Sequence, residues 1–306
     1  MSFDRLILKI KEKNNPTVAG LDPKLDYIPE YIKVEAYRQY GKTLEGAAEA
    51  LLQFNKGLID ALCDIVPAVK PQAAYYEMYG WHGVRTLTET IAYAKEKGMF
   101  VITDGKRNDI GATMQAYSAA HIGQTDIENV KTEAFGADAL TVNGYLGTDG
   151  IKPLLEICKA EDKGIFVLVK TSNPSSGELQ DRKLDDGLSV YHTMGNMCEN
   201  WGRDTEGKTG YSAVGAVVGA TYPEQLGELR KALPHTFFLV PGYGAQGGGA
   251  KDVAPAFDKN GTGAIINSSR GIMCAWKKEN CDPKEYAHAA RREAIRMRDE
   301  IISCID

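Results

Sequence analysis

The chain has 306 residues, 43% of them hydrophobic and 25% charged, the make-up of a globular protein with a sizeable core. Thirty-six Lys and Arg against 41 Asp and Glu leave a net charge of −5, the wrong sign for coating a phosphodiester backbone, so no nucleic-acid partner is expected. The stretch 1–13 carries a charge every few positions and offers neither a signal-peptide core nor a membrane span. The six scattered cysteines lack zinc-ligand spacing, so the expectation is a cytoplasmic protein with reduced thiols and no membrane partner.

In chain order, a helical extension at the N-terminus is followed by eight short apolar runs, at 17–21, 68–69, 99–103, 139–142, 165–169, 213–218, 237–240 and 264–266. Most are nearly continuous β-formers without polar alternation, as in parallel strands covered on both faces. Between them lie helical patterns. Segment 43–66 sets Leu44, Ala47, Ala48, Leu51, Leu52, Phe54, Leu58 and Leu62 along one face, and Lys97-Gly98 closes another helix. Strand and helix alternate without a linker or low-complexity tract, which predicts an α/β protein folded as one (β/α)8 TIM barrel.

Where each run ends, the residues turn polar. Asp22, Lys70, Asp104 with Lys106, Asn143, Lys170-Thr171-Ser172, Gly242-Tyr243-Gly244 and Asn267 to Arg270 all fall at strand ends, which a barrel gathers on its catalytic face. The period of two puts Asp104 and Lys106 on one side, with Asp109 in the following loop. An ammonium flanked by carboxylates keeps its proton, so Lys106 suits a proton donor rather than a base. Lys70 emerges from a buried strand and needs a partner, for which Asp104 is the natural choice, although a lysine reaching out to water fits the pattern equally well. Asp22, before Pro23, also fits a turn former.

Pro241-Gly242-Tyr243-Gly244-Ala245-Gln246-Gly247 after the seventh run and Asn267-Ser268-Ser269-Arg270 after the eighth supply backbone N–H groups and a guanidinium where many barrels hold a substrate phosphate. Gly242-x-Gly244-x-x-Gly247 also matches the dinucleotide fingerprint, but it follows the seventh strand and no acidic residue closes a strand about 20 positions on.

Taken together, Asp22, Lys70, Asp104-x-Lys106-x-x-Asp109-Ile110, Thr171-Ser172, Gly242-x-Gly244-x-Gln246-Gly247 and Arg270-Gly271 resemble the orotidine 5′-phosphate decarboxylase family in order and strand assignment, over nearly the whole chain. Lys70-Pro71-Gln72, Asp109-Ile110-Gly111-Ala112-Thr113 and Lys170-Thr171-Ser172-Asn173-Pro174 are similar to its longer-chain class. The resemblance implies conversion of orotidine monophosphate to UMP and CO2, the last step of de novo pyrimidine synthesis, with no metal and no cofactor. It places Asp104 against the substrate carboxylate and has Lys106 stabilise and protonate the C6 carbanion. Lys70 would hold Asp104 and the ribose, and Asp22 one ribose hydroxyl. Asp109 and Thr113 would reach the partner's ribose across a homodimer interface, with Ile110 beside them at the substrate. Thr171 and Ser172 would meet the pyrimidine, Gln246 would bridge base and phosphate, and Arg270, with Pro241, Gly247 and Asn267, would complete the phosphate end.

Segment 173–186 is a candidate lid, and Asn108 stands where glycine is common in the family, a residue that also tolerates a left-handed turn. Tyr75-Tyr76-Glu77 is left unplaced. The histidines His82, His121, His192, His235 and His288 fall away from the strand ends, whereas metal-dependent phosphosugar barrels bring His and acidic ligands there. Such a Mg²⁺-dependent phosphosugar enzyme is the first alternative, and a non-catalytic nucleotide-binding protein the second.

Overall fold

The structure, a computed structural model, describes residues 2–244 and 247–305. The eight apolar runs form eight strands: β1 Thr17–Leu21, β2 Ala68–Pro71, β3 Phe100–Arg107, β4 Ala139–Val142, β5 Gly164–Lys170, β6 Val214–Val218, β7 Phe238–Val240 and β8 Ala264–Ser268. Each pairs in parallel with the next, and β8 closes on β1 with Thr17 opposite Ile266. The fold is the (β/α)8 barrel that the alternation predicted.

Side-chain parity explains the closure. Along each strand alternate residues point to opposite faces. Ala68, Phe100, Ile102, Ala139, Phe166 and Val217 fill the interior, while Val69, Val101, Leu140, Val167 and Val218 meet the outer helices. The helix Leu44–Leu62 starts on Thr43, whose Oγ1 accepts the Gly46 N–H at 3.1 Å, and buries Ala47, Leu51, Phe54, Leu58 and Leu62. Leu44 departs from the predicted face and is exposed, because the first helical residue lies beyond the edge of the packed surface. The helix Gly80–Glu96 ends as Lys97-Gly98 predicted, with Gly98 at φ +76°.

The helix Ser2–Lys13 closes one end of the barrel. Phe3, Leu6, Ile7 and Ile10 recur at helical spacing and enter the interior, where the Phe3 ring lies 4.7 Å from Phe166 and 5.6 Å from Phe237. Its polar face bonds to the segments preceding the strands. Arg5 pairs with Asp138 and Asp162, Lys9 Nζ donates to the Gly98 carbonyl, and Asp4 accepts the Lys208 and Thr209 N–H groups. These residues all sit at the N-terminal mouth, so the open mouth is the C-terminal one.

Two ladder irregularities re-aim residues at that open mouth. One interrupts β3 against β4 between Thr103 and Arg107; the other interrupts β5 against β6 between Leu168 and Lys170. An extra residue in a strand flips the faces that follow it. Leu168, opposite Val217, faces inward, whereas Lys170, opposite Val218, faces the helices. An exposed antiparallel hairpin, Thr125–Ile127 with Val130–Thr132, turns through Glu128 and Asn129 at φ +50° and +77° and has no counterpart in the apolar runs. No described helix is long and apolar enough to cross a membrane.

Candidate active site

Asp104 is the centre of the open mouth. It lies two residues beyond the inward-facing Ile102, beside Lys70, which lies two beyond the inward-facing Ala68. Lys70 Nζ is 2.6 Å from Asp104 Oδ2 and Lys106 Nζ is 2.5 Å from Oδ1, with Lys70 and Asp104 only 3% and 8% exposed. Burial alone would push the Asp104 carboxyl up, but the two ammonium groups outweigh it and hold the acid well below the usual carboxylate range. Burial would likewise lower Lys70, yet Asp104 and then Asp22 turn the balance, and its pKa is raised. Both groups are therefore ionised at neutral pH.

The irregularity in β3 aims Lys106. Its backbone is left-handed at φ +49°, an uncommon state for a lysine that the surroundings must hold. The Lys106 N–H donates to Thr141 Oγ1 at 3.0 Å, and the Thr141 hydroxyl donates in turn to Asp104 Oδ1 at 2.8 Å. Arg107 Nη1 donates to the Gly105 carbonyl, and its guanidinium pairs with Glu77. The left-handed position falls on Lys106 rather than on Asn108. The Asn108 side-chain amide is instead enclosed near Gly150 with no hydrogen-bond partner.

A cavity of about 460 Å³ opens beside this network. Asp22, Lys70, Asp104, Pro241, Asn267 and Arg270 line it, as the sequence predicted, together with Lys24, Tyr27, Gln72, Tyr75, Gly242, Tyr243, Ser269 and Met273. Asp22 Oδ1 and Asn267 Oδ1 are buried without a hydrogen-bond partner, so each can accept a ligand hydroxyl or N–H. β1 and β8 approach closely here, and a Cβ at Gly20 would fall 1.9 Å from Ser269 Oγ. The loop after β7 takes positive φ at Gly242, Gly244 and Gly247, and Tyr243 Oη donates to Glu300 of the C-terminal helix at 2.8 Å. Gln246 lies outside the described residues. Only a single helical turn, Ala250–Val253, follows the loop, not the long helix whose start a dinucleotide pyrophosphate needs.

Other predicted residues stand around the rim. Thr171 and Ser172 follow β5 and are half-buried; the Thr171 N–H donates to Gln180 Oε1, and the Ser172 carbonyl accepts the Thr221 hydroxyl. Asp109, Ile110 and Thr113 lie on the flank, where Asp109 Oδ1 accepts the Ile110 N–H and Ile110 and Thr113 are exposed. Gly247 is exposed on the loop after β7. Of the unplaced trio, Tyr75 lines the cavity, Tyr76 is buried against Asn55 and the Leu21 carbonyl, and Glu77 holds Arg107. The polar pattern at the strand ends did not single out Thr141, Lys24, Tyr27, Gln72 or Met273 as site residues. Thr141 had a usable signal, since its parity with Ala139 puts a hydroxyl in the inner row of β4.

A closed barrel whose open mouth holds a buried Lys70–Asp104 pair with the more accessible Lys106 on the same carboxylate defines a barrel enzyme. Residues 47–282 match the model of the orotidine 5′-phosphate decarboxylase / HUMPS family. The orotidine 5′-phosphate decarboxylase of Rhodopirellula baltica is 45% identical over 93% of each chain, and that of Clostridium tetani 43% identical over 100% of this chain and 99% of its own. The solved OMP decarboxylase of Leishmania donovani superposes with a TM-score of 0.72 at 30% identity, covering 97% of this chain and 98% of that one. The chain belongs to the orotidine 5′-phosphate decarboxylase family and, like these relatives, is a carboxy-lyase.

Proposed function

We propose that the chain decarboxylates orotidine 5′-phosphate to UMP by direct loss of CO2, with neither metal nor cofactor, and that Lys106 delivers the proton to C6. The observation that carries this reading is the buried Asp104 carboxylate clasped by Lys70 and Lys106. Departure of CO2 leaves an sp² carbanion with no adjacent electron sink, so fixed charges must favour the transition state over the bound substrate. A substrate carboxylate seated against the ionised Asp104 is repelled, and that repulsion is relieved as CO2 leaves. Lys106, the more accessible ammonium, then faces the developing charge and carries the proton it needs.

The remaining roles follow the cavity. Asp22 accepts from a ribose hydroxyl, Lys70 holds Asp104 and the ribose, and Arg270, with Pro241, Asn267, Gln246 and Gly247, takes the phosphate. Binding of this distant group supplies free energy for placing the carboxylate beside Asp104. Thr171 and Ser172 contact the pyrimidine. Segment 173–186 forms the rim that covers the base. Asp109, with Ile110 and Thr113, serves the site of a second copy in a homodimer; exposed Ile110, Tyr145 and Leu146 around it supply an apolar face for that contact. A cytoplasmic location suits the six free cysteines.

The test is the ultraviolet absorbance of orotidine 5′-phosphate mixed with the protein in EDTA, with Lys106→Ala in parallel. The wild type should turn it over undiminished by EDTA, and the variant should lose at least about 10³-fold, within the range of a positioned general acid. Turnover that needs Mg²⁺, or none at all, would replace this reading with that of a phosphosugar enzyme.

A further inference from the structure

Lys170 is the most deeply buried cation at the open mouth, and the chemistry above does not use it. It ends β5, yet its ammonium points away from the cavity, because the irregularity between Leu168 and Lys170 turns it to the helix side. It is fully buried. Its Nζ lies 2.7 Å from Asp181 Oδ1 and 3.1 Å from Ser176 Oγ, and it sits 4.6 Å and 5.6 Å from the ring centres of Tyr222 and Tyr191. Both polar partners belong to the segment that follows β5.

We propose that Lys170 is a positioning residue: by binding Asp181 and Ser176 it clamps segment 174–181 to the barrel, and so fixes Thr171 and Ser172 toward the base of the substrate. The proposal rests on the decarboxylase reading for the identity of that base. Three further observations support the clamp. Gln180, next to Asp181, grips Thr171 twice, its Oε1 accepting the Thr171 N–H at 2.9 Å and its Nε2 donating to Thr171 Oγ1 at 2.8 Å. Gly177 leaves room for the ion pair, since a Cβ there would meet Asp181 Oδ2 at 2.7 Å. Ser172 is pressed on its other side by Gly219, where a Cβ would lie 2.9 Å from the Ser172 N and Cβ. Lifting the 174–181 segment would strip a buried ammonium of its carboxylate, which is strongly unfavourable. The base of the candidate lid is therefore fixed, and any movement is confined to the exposed turn beyond it.

Lys170→Met and Asp181→Asn would be compared with Lys163→Met, which removes another buried lysine, bonded to the Ala137 carbonyl at the closed end of the barrel. In the first two, KM for orotidine 5′-phosphate should rise about tenfold while kcat stays within about twofold, equivalent to about 1.4 kcal/mol of lost binding. Inhibition by inorganic phosphate, which reads the far end of the cavity, should not change. Amide hydrogen exchange over 174–181 should accelerate in both. Lys163→Met should lower Tm yet leave KM and that exchange alone. Unchanged KM and exchange in soluble Asp181→Asn would overturn the clamp even if Lys170→Met fails to fold. A wild-type protein inert toward orotidine 5′-phosphate would instead sink the decarboxylase reading, and the exchange measurement would still decide whether Lys170 clamps the segment.

Discussion

Thr141 donates to Asp104 Oδ1 while accepting the Lys106 N–H, so one buried hydroxyl ties the carboxylate to the left-handed turn that aims the ammonium. Thr141→Val keeps the shape and removes both bonds. We expect kcat to fall about tenfold with KM nearly unchanged, and stability to drop by about 1–2 kcal/mol from the unpaired groups; Thr141→Ser should keep most of both. Steady-state kinetics and denaturant unfolding read the outcome, and an unaltered kcat would show that Asp104 and Lys106 hold their geometry without it. At this scale the sequence was most legible where charge emerges from an apolar run. Asp22, Lys70, Asp104 and Arg270 all reached the cavity as predicted. Thr141 was passed over because it lies inside a strand rather than beyond its end. The left-handed φ of Lys106 could not be read, since local preference opposes it and only the ladder irregularity imposes it.

Among the elements, the helix Ser2–Lys13 has the clearest energetic role. Its apolar face completes the interior at the closed mouth, with Phe3 tilted against Phe166 and stacked on Phe237. Phe3→Ala should cost about 3–5 kcal/mol of stability, the range for emptying a buried aromatic site. Turnover per folded molecule at low temperature should not change, because the cavity is at the opposite mouth; thermal unfolding beside kinetics checks both. A loss of kcat as large as the loss of stability would mean that the plug also sets the active-site geometry. A helical extension at this terminus was legible in the sequence, but nothing local says that it seals a barrel. The hairpin around Glu128 and Asn129 has no signal in the sequence because its strands are only three residues long and exposed throughout, Ile127 and Val130 included, so they carry no burial pattern.

For the whole molecule, the reading of Asp109 as a residue shared between subunits makes a quantitative prediction. Lys106→Ala and Asp109→Ala, each nearly inactive alone, should regain about a quarter of wild-type activity when unfolded and refolded together in equal amounts, since half the dimers are mixed and each mixed dimer has one intact site. Absence of any recovery would place Lys106 and Asp109 in the same subunit's site. Ile110, Tyr145 and Leu146 are exposed apolar side chains of the single chain, and a mixed-dimer experiment tests whether a second copy covers them.

The sequence by itself determined the barrel, because eight continuous apolar runs separated by amphipathic segments admit few other ways of covering both faces of every strand. It also determined which ionisable groups follow the apolar runs, because the change from apolar to polar is local, although β3 itself runs on through Asp104 and Lys106 to Arg107. Only the tertiary structure decided which of them meet. Lys70, Asp104 and Lys106 converge through pairing between strands far apart in the chain, and Lys170, one more polar residue at a strand end, turns outward because a ladder irregularity reverses its face. Register between distant strands depends on how the whole barrel packs, and no local preference along the chain encodes it.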